Sequence, residues 1–200
     1  MSLPNANILQ RGLVGALGDS DADRLMAEVA REYSALFAER ERYDDRALQE
    51  HLEKNILPGL ALYRVLCRDE VTSARALAVT ERVFDLWGKS GRRRMAFLGR
   101  FPFFYHLIRL LVRPMMRNNF PSAGWDLEWI EVSSQVVAFD MHSCFYLDTF
   151  RAYGAEELTS IYCRLDDAIY DGVSPYVRWE RTKTLGRGNE CCDFRFRRGG

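Results

Sequence analysis

Thr159, Cys163, Asp166 and Tyr170 follow one another at i, i+4, i+7 and i+11, which is one stripe of a single helix. A thiol and a carboxylate one turn apart make a poor apolar seam. A buried aspartate needs a hydrogen-bonding or charged partner, or it takes up a proton. The plainer account of Asp166 is an exposed position beside Asp167. A second group of candidates lies in the closing "GNECCDFRFRR". Strand alternation puts Cys192 on one face with Phe194 and Phe196, and Cys191 on the other with Asp193, Arg195 and Arg197. The two cysteines of the doublet therefore cannot act together. Cys192 is expected to face inward, near Cys163 and Asp166, with Cys191 in more polar surroundings; plain packing is the competing account of a thiol among aromatics. Cys144 opens a helix, where the dipole favours a thiolate. His142, two residues earlier, reads more simply as a surface histidine than as a base.

These residue types permit thiol and carboxylate chemistry. Their atoms would also suit zinc, but no short ligand spacing joins them, so no metal ion and no cofactor is expected. The chain carries no GxSxG elbow, no P-loop and no dinucleotide fingerprint.

The elements that must hold these residues fall into two textures. Residues 1–20 read as a flexible, glycine-containing lead. Residues 21–120 carry apolar positions at helical spacing, for example Leu25, Val29 and Leu36, then Leu62, Val65 and Leu66, with Pro58 in the first turn of its helix. Near Pro121 the pattern changes. "DLEWIEV" and "QVVAFDM" read as strands, the segments ending at Gly154 and Gly172 as helices, and "PYVRWERTKTL" and "ECCDFRFRR" as strands joined by the glycine turn "GRGN". Residues 121–198 thus form a ββααββ unit with a four-stranded antiparallel sheet. The fold class is α+β, with a helical N-terminal half integrated with that unit into one domain.

Two hundred residues with 28 Lys+Arg against 28 Asp+Glu give a formal charge of zero, which argues against an overall electrostatic pull toward nucleic acid or an anionic membrane. No apolar run is long enough to span a bilayer. The five cysteines form no CxxC pair, and the opening residues lack a signal-peptide pattern, so reduced thiols in a cytoplasmic protein are expected. Residues 101–117 interleave Phe101, Phe103, Leu110 and Leu111 with Arg109, Arg113 and Arg117. A membrane-surface helix has this look; a core helix or a homodimer interface fits the neutral chain better.

"HLEKNILPGLALYRVL", Cys144 and "CRLDDAIYDGVSPYVRWERTKTLGRGNECCDFRFRR" together resemble the L-2-amino-thiazoline-4-carboxylic acid hydrolase family, over about residues 45–198. The glycine turn and Cys-x-Phe ending are also similar, less specifically, to small ligand-binding domains of the 4-vinyl-reductase type. That second likeness implies a non-enzymatic small-molecule-binding or sensory domain. The first implies hydrolysis of a cyclic amidine: water adds to the amidine carbon, its bond to the ring sulfur breaks, and N-carbamoyl-L-cysteine forms. Carried onto this chain, the catalytic candidates are Cys163, Asp166, Cys192 and Cys144. Asp166 would be base or amidinium partner, and Cys163 or Cys192 nucleophile or proton donor. Arg181 would clamp the substrate carboxylate, with Thr182 and His142 as further contacts.

Overall fold

The computed structural model describes residues 2–69 and 72–200. The chain divides into two compact units, Met1–Trp87 and Gly88–Gly200. The change of texture near Pro121 therefore does not mark the boundary, because the helix before it belongs with the sheet.

The first unit is helical: α1 (Ala6–Leu17), α2 (Asp19–Glu39), α3 (Arg46–His51) and α4 (Leu57–Arg68), followed by the start of α5 (Ser73–Leu98). Asp45 caps α3 by accepting from the Ala47 and Leu48 amides at 2.8 and 3.1 Å. A π-helical turn, Leu52–Ile56, carries α3 into α4 without a break, and Pro58 sits directly after that turn, at the start of α4. The expected flexible lead is corrected here. Leu9 and Leu13 of α1 are fully buried, and a Cβ on Gly12 would lie 2.8 Å from Val83. The glycine that reads as looseness is a close-packing contact between helices.

The second unit holds the rest of α5, then α6 (Phe104–Asn119), β1 (Leu127–Val132), β2 (Val136–Met141), α7 (Phe145–Ala152), α8 (Leu158–Tyr170), β3 (Val177–Glu180) and β4 (Cys192–Arg198). The sheet is four-stranded and antiparallel, in the order β1-β2-β4-β3, and the class is α+β. Gly154 and Gly172, with φ of +68° and +63°, end the segments of α7 and α8.

The register pairs Met141 with Cys192, Phe139 with Phe194, Val137 with Phe196 and Trp179 with Phe196. These residues share one face, and Tyr170 of α8 stacks on Trp179 at 5.1 Å between ring centroids. The opposite face is a lattice of charge: Arg195 pairs with Asp140 at 2.6 Å, and Arg197 and Arg178 with Glu180 at 2.6 and 2.8 Å. The strand expected to run through "PYVRWERTKTL" stops at Glu180. Asp193 takes over: its carboxylate accepts from the Thr182 amide at 2.9 Å, the Thr182 hydroxyl at 2.7 Å and the Lys183 amide at 2.5 Å. A side chain thus supplies what the next ladder rungs would have supplied. The chain then closes a 3-10 turn, Leu185–Arg187, ended by Gly188 at φ +80°.

Helix α6 is not a core helix. Phe104, Tyr105, Val112 and Met116 are buried, but Phe103, Leu110 and Leu111 are exposed. No described helix is long and apolar enough to cross a membrane.

Candidate functional site

Cys192 is the first residue of β4 and lies on the apolar face, opposite Met141. Cys163 is in the middle of α8, which packs against the 3-10 turn through Gly186. A Cβ on Gly186 would stand 3.0 Å from the Cys163 Sγ and 3.0 Å from the Thr159 methyl group. Only a glycine lets the turn come this close. The result brings the Cys163 and Cys192 thiols close enough for each to shift the acidity of the other. Both are free thiols.

Each thiol shifts the other. The neighbouring Cys192 thiol, with help from the Arg181 charge and the Gly186 amide, holds the Cys163 thiol below its ordinary range against the opposing effect of burial. The neighbouring Cys163 thiol, together with burial, pushes Cys192 well up, although the Leu185 amide donates to its sulfur at 3.2 Å. Cys163 is therefore the more acidic sulfur of the two.

Below this pair Arg181 organises two carboxylates. Its side chain is 1% exposed. One Nη donates to Asp166 at 2.9 Å, and the other donates to Asp167 at 2.7 Å and to the Cys163 carbonyl. The guanidinium lies within 5.7 Å of the Trp179 ring centroid and 5.4 Å of that of Phe194. Trp179 Nε1 donates to the second Asp167 oxygen at 3.0 Å. Asp166 keeps 40% of its side-chain surface open, yet so much protein surrounds it that burial pushes its carboxyl up to about 6 despite Arg181.

Cys144 lies close enough to feel the charge of both other thiols. The helix dipole does not win there: burial pushes Cys144 up to about 11, against donation from the Leu147 and Tyr146 amides and the Trp125 indole. Two further groups sit beside the pair. Thr159 and Thr184 are 1% and 3% exposed, and neither hydroxyl has a hydrogen-bond partner among the described residues. Buried polar atoms left unpaired in this way are costly, and they cluster where a ligand is to be held.

The structure thus brings together Cys163, Cys192, Cys144, Asp166 and Arg181. Both Arg181 Nη atoms bond to Asp166, Asp167 and the Cys163 carbonyl, while its buried Nε has no partner among the described residues. Thr182 is tied to Asp193. His142 is apart from the cluster, 37% exposed and paired with Glu128 across β1 and β2 at 3.1 Å. Cys191 is as buried as Cys192, at 4%, but on the opposite side of the strand, where the charges of Asp140, Glu190, Lys183 and Asp193 act on it. Among the described residues no three His, Cys, Asp or Glu side chains converge as metal ligands. Asp167, Thr184 and Gly186 were not legible as site residues. Asp167 carries a signal only in its adjacency to Asp166, and Gly186 only in its place between Cys163's helix and Cys192's strand. An open groove of about 680 Å3 lies between the end of α6 and β1, lined by Arg113, Arg117, Phe120, Trp125 and Trp129 among others. It contains none of the thiols, but Trp125 borders both it and Cys144.

The family model for L-2-amino-thiazoline-4-carboxylic acid hydrolase matches residues 49–196, a span that holds every thiol and carboxylate of the cluster. The chain belongs to this hydrolase family. No curated protein and no solved structure shows significant similarity to it.

Proposed function

We propose that the protein is a hydrolase of cyclic amidines of the 2-amino-thiazoline-4-carboxylate type, using Cys163 as nucleophile and Cys192 as proton donor. The observation that carries this reading is the meeting of Cys163, Cys192, Asp166 and Arg181 where Gly186 packs against α8, with Cys163 the more acidic of the two thiols. Two like groups with opposed proton affinities can divide nucleophile and acid between them. The Cys163 thiolate adds to the amidine carbon. The bond from that carbon to the ring sulfur breaks, and the departing thiolate takes the Cys192 proton, leaving an isothiouronium on Cys163. Water then adds to the same carbon as Asp166 takes its proton. Collapse expels the Cys163 thiolate and gives the urea of N-carbamoyl-L-cysteine, and Cys192 regains a proton by way of Asp166 and solvent. Arg181 holds Asp166 and the Cys163 carbonyl in place, a positioning role. Thr159 and Thr184 have the free hydroxyls that would orient the substrate.

The reading is tested by thiol release from 2-amino-thiazoline-4-carboxylate. Cys163→Ser should lose about three orders of magnitude or more in kcat, and Cys192→Ser a comparable factor. Cys191→Ser should retain nearly all turnover. Trapping of a covalent adduct on Cys163, seen by intact mass in Asp166→Asn, would mark the nucleophile. Full activity of Cys163→Ser would remove the proposed mechanism. A soluble, reduced chain with no turnover, stabilised thermally only by large apolar ligands, would favour the binding-domain alternative.

A further inference from the structure

Between Asp85 and Asp126 the chain carries Lys89 and seven arginines and not one aspartate or glutamate. This run holds eight positive charges in a chain whose total is zero. All eight side chains are exposed. Among the described residues none of the seven arginines pairs with a carboxylate; Arg92 is occupied with the Ala168 and Asp171 carbonyls, and Arg113 lies over the Trp129 ring.

The same segment displays its apolar residues outward. On α6, Phe103, Leu107, Leu110 and Pro114 follow at i, i+4, i+7 and i+11, on the side opposite the buried Tyr105, Val112 and Met116. Leu110 is 72% exposed, Leu111 48% and Met115 42%. At the corner before α6, Phe97 meets Phe101 edge-on and Phe101 stacks on Phe103, with centroids 5.7 and 5.2 Å apart, and the three are 58%, 37% and 55% exposed. Arg109, Arg113 and Arg117, at i, i+4 and i+8, run along one flank of this apolar stripe. A soluble surface seldom leaves aromatic and aliphatic side chains contiguous in this way without a partner.

We infer that this face, formed by the end of α5, the Gly99–Phe103 corner and α6, docks on an anionic lipid bilayer surface. Charge selects the partner. A two-fold dimer through this face would set eight cations against the same eight, so a second copy is disfavoured. Leu110, Leu111 and Met115 offer no ring for a nucleobase to stack on, whereas a bilayer accepts both the aliphatic stripe and the phenyl cluster at acyl depth. The flanking arginines reach anionic headgroups while their stems cover apolar surface. No described helix can cross the membrane, so the attachment is to its surface.

The test is flotation of the full chain with vesicles of phosphatidylcholine containing about 30 mol% phosphatidylglycerol, beside vesicles of phosphatidylcholine alone. The protein should float with the anionic vesicles at about 0.1 M salt and leave them as salt is raised several-fold. Phe103→Ser with Leu110→Ser, and separately Arg109→Glu with Arg113→Glu, should each weaken binding by about ten-fold or more, with circular dichroism and thiazoline turnover unchanged. Absence from anionic vesicles at low salt would overturn the inference, as would equal binding to neutral ones. So would a dimer in solution that the serine pair converts to monomer, or capture of the arginine face by duplex DNA in preference to the vesicles.

Discussion

The two neighbouring thiols shift each other in opposite directions, and the Arg181 charge adds to the effect of Cys192 in lowering Cys163. Asp166 beside them has a carboxyl pushed up to about 6 by burial. If it takes a proton from water, it must first be ionised. The kcat/KM profile should therefore rise with pH through about 6, and Asp166→Asn should lose that limb along with most of the activity. A profile flat from pH 5 to 7 in the native protein would exclude Asp166 as the base. Arg181→Met separates positioning from chemistry: it should unfold more easily, by about 2–4 kcal/mol, and shift the acid limb upward, since the group that opposes the raised carboxyl is gone.

At the level of strand and turn, the site depends on two local devices. Gly186 allows the 3-10 turn to lie against α8. Gly186→Ala places a methyl 3.0 Å from the Cys163 sulfur and 3.2 Å from the Thr159 backbone carbon, so the turn must move. Turnover should fall about ten-fold or more from sub-ångström displacement, with little change in far-ultraviolet dichroism; unchanged kinetics would show that the thiol spacing is not critical. Asp193 is the other device. Burial opposes its charge, but bonds from Thr182 and Lys183 outweigh it and hold the carboxyl below its ordinary range. Asp193→Ala should lower stability by about 2–3 kcal/mol in urea unfolding. The loss should be largest above pH 5 and shrink as pH falls through the native carboxyl's low pKa, because a group with a depressed folded pKa stabilises only while it is ionised.

For the molecule as a whole, Asp166 works in the opposite sense. Its folded pKa lies above its unfolded one, so its contribution is fully present below about pH 4 and is lost as pH rises through about 6. Asparagine stays neutral throughout. The melting temperature of Asp166→Asn minus that of the native protein should therefore become more positive between pH 4 and pH 7. A constant difference across that range would mean that Asp166 ionises freely in the fold. An increase would also show stability given up at neutral pH for a carboxylate held ready at the site.

Periodicity carried much of this protein. The shift from helical spacing to alternation near Pro121, the helix stops at Gly154 and Gly172, and the inward face of Cys192, Phe194 and Phe196 all follow from local geometry: 3.6 residues per turn, two per strand repeat, and the free φ of glycine. The stripe of Thr159, Cys163 and Asp166 was legible for the same reason. Long-range meetings were not. That Arg181 turns inward to Asp166 and Asp167 depends on the crossing of α8 over β3. That Cys191 is buried on the far side of the strand depends on side chains around it there, and no alternation rule counts those. Helix α6 has the composition of a core helix, and its pattern is the same whichever way the helix is turned. Burial of Tyr105, Val112 and Met116 selects one orientation, and leaves Leu110 and the Phe97–Phe103 cluster facing out. Which of two apolar faces is covered is a property of packing partners, and these are distant in the chain.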